Sequence, residues 1–377
     1  MILLVSLSPK ERVLAALNHS ETDRVPIDLG GSVTSIHFAA YKKLLNFLNF
    51  DEKIYLINRV GGTVRPSERI LQRFNVDTRY IYPKIEPLTE NFPETFVDAW
   101  GLKRKFTGYY YDLTSDGSPL SNIDSVYEIN SYNWPSPEDL GFDLNFMIEQ
   151  AEKLSKEEYA IIFPYVVVGS FAHALLLRGF KQFLSDLILK PKIAEAILDN
   201  VTNLMVECVR KYIAPIGKYL DVIFFGDDLG TQTSPIISPN LYNKFVKPRH
   251  NKLIKAFKSV SRAKVIIHSD GSIFQLLNGL IEAGVDGINP VQVTAKNMDT
   301  RILKEKFGEK LVFWGGIDTQ RVLPFGKPED VMNEVRKRVH DLGKNGGYIL
   351  ASVHNIQPLT PPENIVTMFD YASTLKI

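Results

Sequence analysis

Eight short apolar runs, each stopping at a polar turn and separated by stretches of helical periodicity, constrain this chain more than anything else in it. The sharpest is Val265-Ile266-Ile267-His268-Ser269-Asp270-Gly271. Aliphatic residues that end abruptly in Ser-Asp-Gly read as a buried strand that stops at a turn. His268 and Asp270 then stand at the strand's carboxyl end, where parallel α/β folds bind ligands. Residues 25–29 read as a first strand, with Asp28, Gly30 and Gly31 at its exit, and residues 80–82 as a short strand closed by Pro83. Residues 160–168 end at Gly169-Ser170, and residues 220–225 at Gly226-Asp227-Asp228. Residues 285–289 lead to Pro290, residues 311–314 to Gly315-Gly316-Ile317-Asp318, and residues 348–351 to Ser352-Val353-His354. About eight strands alternating with helices predict a parallel sheet closed as a (β/α)8 TIM barrel, an α/β fold. A doubly wound open sheet is the alternative. It requires a glycine-rich dinucleotide turn, and Gly30-Gly31-Ser32 is not that motif.

The remaining chain fits around this frame. Ser8-Pro9-Lys10-Glu11 is a capping box that opens an amphipathic helix reaching about Asn18. Ser238-Pro239 starts another helix, and Thr360-Pro361-Pro362-Glu363 reads as a second capping box. Residues 87–137 have no helical period and carry Trp100, Tyr109-Tyr110-Tyr111 and a hairpin signal at Asp116-Gly117. We read them as a small β-rich insertion covering one barrel domain that spans residues 1–377. The tyrosines either pack the hairpin or form a lid over a ligand.

Composition narrows the function. Among 377 residues, 45% are hydrophobic and 23% charged, which is ordinary for a soluble globular enzyme. A formal net charge of +1 gives no electrostatic footing for nucleic acid or an anionic membrane. Cys208 is the one cysteine, so an intrachain disulfide and a thiolate metal cage are excluded; its helical context reads as packing. No run approaches the ~18 apolar residues of a membrane helix, and the first residues are too short an apolar core for a signal peptide. A cytoplasmic protein is expected, and a homodimer is among the expected assemblies.

One barrel rim would collect Asp28, Ser170, Asp227, Asp228, His268, Asp270, Asn289, Asp318 and His354. Some must be caps, and Asp227, Asp228 and Asp318 are the first candidates, because aspartate after a strand often fills that role. His268 and His354 follow aliphatic runs on different strands. Imidazole serves as metal ligand or general acid–base group near neutral pH. With Asp270 the two could form an N2O set for zinc that leaves a position open.

These motifs resemble the uroporphyrinogen decarboxylase superfamily, and within it the branch related to corrinoid-dependent methyltransferases. The likeness covers nearly the whole chain. It rests on Asp23-Arg24-Val25-Pro26, Gly226-Asp227-Asp228-Leu229-Gly230, Ile237-Ser238-Pro239 and His268-Ser269-Asp270-Gly271-Ser272. It continues in Gly284-Val285-Asp286-Gly287-Ile288-Asn289-Pro290-Val291-Gln292, Trp314-Gly315-Gly316-Ile317-Asp318, Val353-His354-Asn355-Ile356 and Thr360-Pro361-Pro362-Glu363-Asn364. The resemblance implies a (β/α)8 barrel. It also implies zinc held by His-x-Cys and a later cysteine. His268 matches the histidine, Asp270 stands at the first cysteine and His354 near the second, so the ligand set has lost its thiolates. The decarboxylase branch uses an arginine-rich segment after Asp-Arg-x-Pro to hold a tetrapyrrole; here residues 27–32 contain no arginine.

The leading expectation is therefore a methyltransferase working between a small methylated compound and a corrinoid on a separate carrier protein. In it, His268, Asp270 and His354 hold a metal, and His268 with Asp227 or Asp228 is catalytic. Asp28, Ser170, Asn289 and Asp318 meet substrate. Decarboxylation of a porphyrin precursor or another carboxylate is the second expectation. A binding protein without turnover, whose rim only hydrogen-bonds a corrinoid or small molecule, is the third.

Overall fold

The computed structural model describes residues 6–88 and 92–376, apart from the side chains of residues 165–167. Seven parallel strands form the central sheet in chain order: β1 Thr78–Tyr80, β2 Ala160–Val168, β3 Val222–Gly226, β4 Lys264–His268, β5 Gly287–Asn289, β6 Val312–Ile317 and β7 Tyr348–Ser352. The expected first strand is shorter than its sequence suggests: within residues 25–29, Ile27 alone bridges Leu350 of β7 in parallel. Pro26 has no N–H to give a ladder, and Gly30 leaves the extended region with φ 127°. The segment still bonds to both sides. Asp28 N donates to Leu350 O at 2.9 Å, and Asp77 N, just before β1, donates to Ile27 O at 2.9 Å. It fills the gap between β7 and β1, and the sheet curls into the TIM-barrel-like α/β fold expected from the alternation.

Strand periodicity assigns every side chain a face. Val222, Phe224, Ile266, Val312, Trp314, Ile349 and Ala351 fill the barrel interior together with Tyr80 and Tyr82. Ile223, Phe225, Val265, Ile267, Ile288, Phe313 and Leu350 point outward and pack beneath the helices. Helix α1 (Pro9–Leu17) forms with the expected Ser8–Glu11 capping box, and its Val13, Ala16 and Leu17 join the interior cluster. Lys10 N donates to Glu158 O, and Gly347 N to Ala16 O, so α1 lies across the amino-terminal end of the barrel. Interior packing and α1 leave the opposite end as the mouth.

The Asp23-Arg24-Val25-Pro26 motif is structural. Asp77 is fully buried and takes hydrogen bonds from Arg12 Nη1 (2.7 Å), Arg24 Nη1 (2.7 Å) and Ile27 N (2.8 Å), while Asp23 accepts from Arg12 Nε at 2.7 Å. Two guanidinium groups on one buried carboxylate hold residues 23–27 against β1, an arrangement that tolerates loss of neither sign.

Three short strands, Thr95–Val97, Lys103–Phe106 and Tyr111–Leu113, make an antiparallel sheet inside the expected insertion. Its tight turn is not at Asp116-Gly117. Residues 107–110 join the last two strands, where Gly108 takes φ 105°, and Asp116-Gly117 closes a later turn in which Gly117 N donates to Thr114 O. The second capping box also does not form. The last helix, Pro362–Thr374, takes Pro361 as its N-cap, one residue past Thr360, and the Thr360 hydroxyl is buried without a partner. Cys208 ends helix Pro191–Cys208 as a buried packing thiol, pushed up to about 12 by burial and by Glu207. Among the described residues no helix is long and apolar enough to cross a membrane.

Candidate metal centre

Alternation along β4 sends His268 to the same face as Ile266, toward the barrel interior, and β5 pairs Asn289 directly with it. Asn289 Nδ2 donates to the Trp314 carbonyl at 3.3 Å, which fixes the amide, because a carbonyl only accepts. Its Oδ1 therefore faces His268 Nδ1 at 2.6 Å, and Nδ1 carries the proton. In the neutral ring that places the lone pair on Nε2, which lies 3.7 Å from Asp270 Oδ2. The His354 ring lies 5.6 Å from that of His268, centroid to centroid. One ligand atom from each of His268, Asp270 and His354 falls within 4.8 Å of the others.

Two loops pressed together place Asp270. Gly271 has φ 89°, and a Cβ there would sit 2.5 Å from the Gly230 carbonyl carbon and 2.6 Å from Thr231 O. Only glycine fits such a backbone approach. Asp270 N donates to Asp228 Oδ1 at 3.0 Å. Asp228 is reached by solvent yet set deep among the mouth's side chains. That enclosure raises its carboxyl above the usual range, with His268 opposing and Asp270 adding to the shift. Enclosure lowers the half-buried His354 imidazole, against the pull of Asp270, so its neutral, ligating form is favoured.

A cavity of about 650 Å³ opens over this group, lined by Asp270, His354, Gln292, Thr319, Tyr109 and Tyr110 among others. The tyrosine turn is tied down at two points. Tyr110 OH donates to Gln357 Oε1 at 2.6 Å. His37 Nδ1 accepts from Ala39 N, so its Nε2 carries the proton and donates to Tyr109 O at 3.1 Å. Gln292, Thr319, Gln320 and Gln357 were not anticipated, although each follows β5, β6 or β7 by a few residues. The rule that selected Asp318 and His354 reaches them too; uncharged carboxamides carry no comparable chemical flag in a sequence.

The other rim candidates are placed apart from this group. Asp227 faces outward and is fully buried. It accepts from Phe171 N (3.2 Å), Ala172 N (2.6 Å) and His250 Nε2 (2.9 Å), which makes it a cap and a helix clamp. Its carboxylate is thereby engaged behind the sheet, and Asp227 is not on the cavity wall. Asp28 faces the barrel interior, 1% exposed, and accepts from Thr78 Oγ1 (2.5 Å), Tyr80 OH (2.9 Å) and Trp314 Nε1 (2.9 Å). Burial raises its carboxyl, and it is not on the cavity wall. Asp318 caps the turn after β6 through Gln320 N (2.7 Å) and Arg321 N (3.1 Å). Ser170 opens helix Ser170–Arg178 with its hydroxyl buried and unpartnered, and it too is off the cavity wall.

Two imidazoles and a carboxylate suit a borderline divalent ion such as zinc. Tetrahedral ligands about 2.1 Å from zinc stand roughly 3.4 Å apart, so the His268–Asp270 pair is near that spacing and the triad needs a modest inward adjustment. The half-buried Asp270 and His354 have room to supply it. A proton-bearing Nδ1 held by Asn289 is the outer support that metal-bound histidines require.

A TIM-barrel-like α/β fold with a candidate metal triad at its mouth defines the class. The family model for Uroporphyrinogen decarboxylase (URO-D) matches residues 112–375, and the chain belongs to that family. It is 26% identical over 382 residues to the methylcobamide:CoM methyltransferase MtbA of Methanosarcina acetivorans, covering 99% of this chain and 100% of the relative. It is 21% identical over 381 residues to the uroporphyrinogen decarboxylase of Alkalilimnicola ehrlichii, covering 97% of this chain and 94% of the relative. A solved methyltransferase from Methanosarcina mazei shares the fold, with TM-score 0.66, 17% identity and coverage of 97% and 98% of the two chains.

Proposed function

We propose that this chain is a methyltransferase that moves a methyl group between a small methylated compound and the cobalt of a corrinoid on a separate carrier protein, acting in the cytoplasm as one barrel domain. The observation that carries the proposal is the convergence of His268, Asp270 and His354 on one point at the mouth of the barrel. A zinc ion held by the three would supply Lewis acidity to the heteroatom that bears or receives the methyl group. Asn289 keeps His268 in the ligating tautomer. Asp228, whose carboxyl is raised, stands beside Asp270 and would exchange a proton with the heteroatom as charge changes there. The tyrosine turn at Tyr109 and Tyr110 covers the cavity and limits water. In the demethylating direction the methyl–heteroatom bond breaks with its electron pair on the heteroatom, which takes up one proton. The pair for the methyl–cobalt bond comes from the reduced corrinoid.

Decarboxylation of a polycarboxylate tetrapyrrole is less well supported. Among the described residues lining the cavity none is lysine or arginine, and Asp28 lies inside the barrel rather than on the wall. The test is methyl transfer followed by the absorbance of added cobalamin. Wild-type protein is expected to turn over, and His268→Ala to lose at least about a hundredfold in rate, the scale of removing a metal-based contribution of several kcal/mol. Full activity in His268→Ala would remove the mechanism.

A further inference from the structure

Gln292 has no role in the scheme above, yet it sits beside the metal triad with one end fixed and the other open. Gly271 N donates to Gln292 Oε1 at 2.7 Å. A backbone N–H only donates, so the atom it meets must be the oxygen, and the carboxamide has a single orientation. Gln292 is 4% exposed and lines the cavity, and its amide nitrogen has no protein partner among the described residues. Two N–H donors therefore face the cavity next to Asp270. Among the other carboxamides on the wall, Gln232 and Gln320 are exposed side chains, unlike Gln292. Gln357 is engaged at both ends by Tyr110 and Asn355, and Gln320 Oε1 is held by Thr294. The nitrogen is accessible from the cavity, and its side chain is held in one orientation, so a ligand that presents an acceptor there can take the place of water. The zinc ion would stand at the end of the substrate that bears the methyl group, and no lysine or arginine is found among the described residues lining the rest of the cavity. An anionic tail pointing away from the ion would meet no side-chain counter-charge there.

We propose that Gln292 is a specificity-determining residue that donates an N–H to an acceptor atom of an uncharged substrate, so that this site selects neutral methyl ethers or thioethers over sulfonated or carboxylated ones. The inference rests on the methyl-transfer reading for the identity of the ligand class, but its test reads binding alone. The probes are 2-(methylthio)ethanol and 2-(methylthio)ethanesulfonate, matched in length and differing in charge, titrated calorimetrically into zinc-loaded full-length protein. The neutral compound is expected to bind at least about tenfold more tightly, and Gln292→Glu to weaken it by about three- to tenfold, the scale of one neutral hydrogen bond. Gln292→Glu keeps an oxygen for Gly271 N, so metal content and melting temperature are expected to stay at wild-type values. Equal or tighter binding of the sulfonate by the wild type overturns the inference. So does an unchanged affinity of a folded Gln292→Glu for the neutral compound. Should that variant fail to fold, the wild-type comparison still decides. Charge selectivity as expected, with no methyl reaching cobalamin from either probe, would remove the methyl-transfer reading and leave the selectivity standing.

Discussion

A histidine can ligate a metal only through a nitrogen that carries no proton, so the Asn289 amide governs how His268 binds. Replacing Asn289 with alanine removes the acceptor 2.6 Å from Nδ1 and frees the ring to rotate or change tautomer. Metal affinity is expected to fall by about 10- to 100-fold, the usual effect of losing such a support. Competition with a chromophoric chelator measures it, and an unchanged affinity would show that Asn289 does not orient the ligand. At this scale the sequence carried more information than its motifs alone. Ile223 and Phe225 face outward, so Asp227, two positions on, faces outward as well and Asp228 faces the mouth. Val25, Ile27 and Leu29 face outward in the same way, which sends Asp28 into the barrel. Counting alternation from the strand core separates caps from site residues that adjacency to a strand end cannot tell apart. Gln292 was not legible, because its part depends on a contact with Gly271 across two loops.

Helix Ser170–Arg178 illustrates what an element inherits from its packing. His173 lies on it, 9% exposed, with Trp100 of the insertion 4.2 Å from its ring centroid and Nε2 buried without a partner. Burial, and then the nearby Arg104, press its imidazole from 6.5 down to about 3. The folded state therefore favours the neutral ring. That stability is complete above the unfolded value near 6.5, and it is lost as pH falls from there toward about 3. The loss approaches about 1.4 kcal/mol per pH unit for one proton. Urea unfolding at pH 7, 5.5 and 4.5 is expected to show stability falling more steeply in the wild type than in His173→Phe. Parallel curves would mean that His173 does not contribute. Boundaries set by such packing escaped the sequence reading. The Thr360 box needs its helix to start one residue earlier, and two consecutive prolines move the N-cap to Pro361. Asp116-Gly117 has the composition of a hairpin turn, but strand register puts the turn at residues 107–110.

At the scale of the whole molecule, the alternation of strands and helices was enough to foresee the TIM-barrel-like sheet, because each strand and its helix form a local unit. The triad needed that assembly, since 84 residues separate Asp270 from His354 (354 − 270) and only curling of the sheet brings them to one mouth. The two imidazoles and the carboxylate of the candidate donor set meet at that one mouth. Metal stoichiometry tests that point most directly, by elemental analysis of protein purified without chelators and reconstituted with zinc. Close to one bound ion per chain is expected in the wild type and little in His268→Ala, Asp270→Ala or His354→Ala, each still folded by circular dichroism. Wild-type protein that retains no metal, or variants that retain it fully, would contradict a shared centre at the barrel mouth.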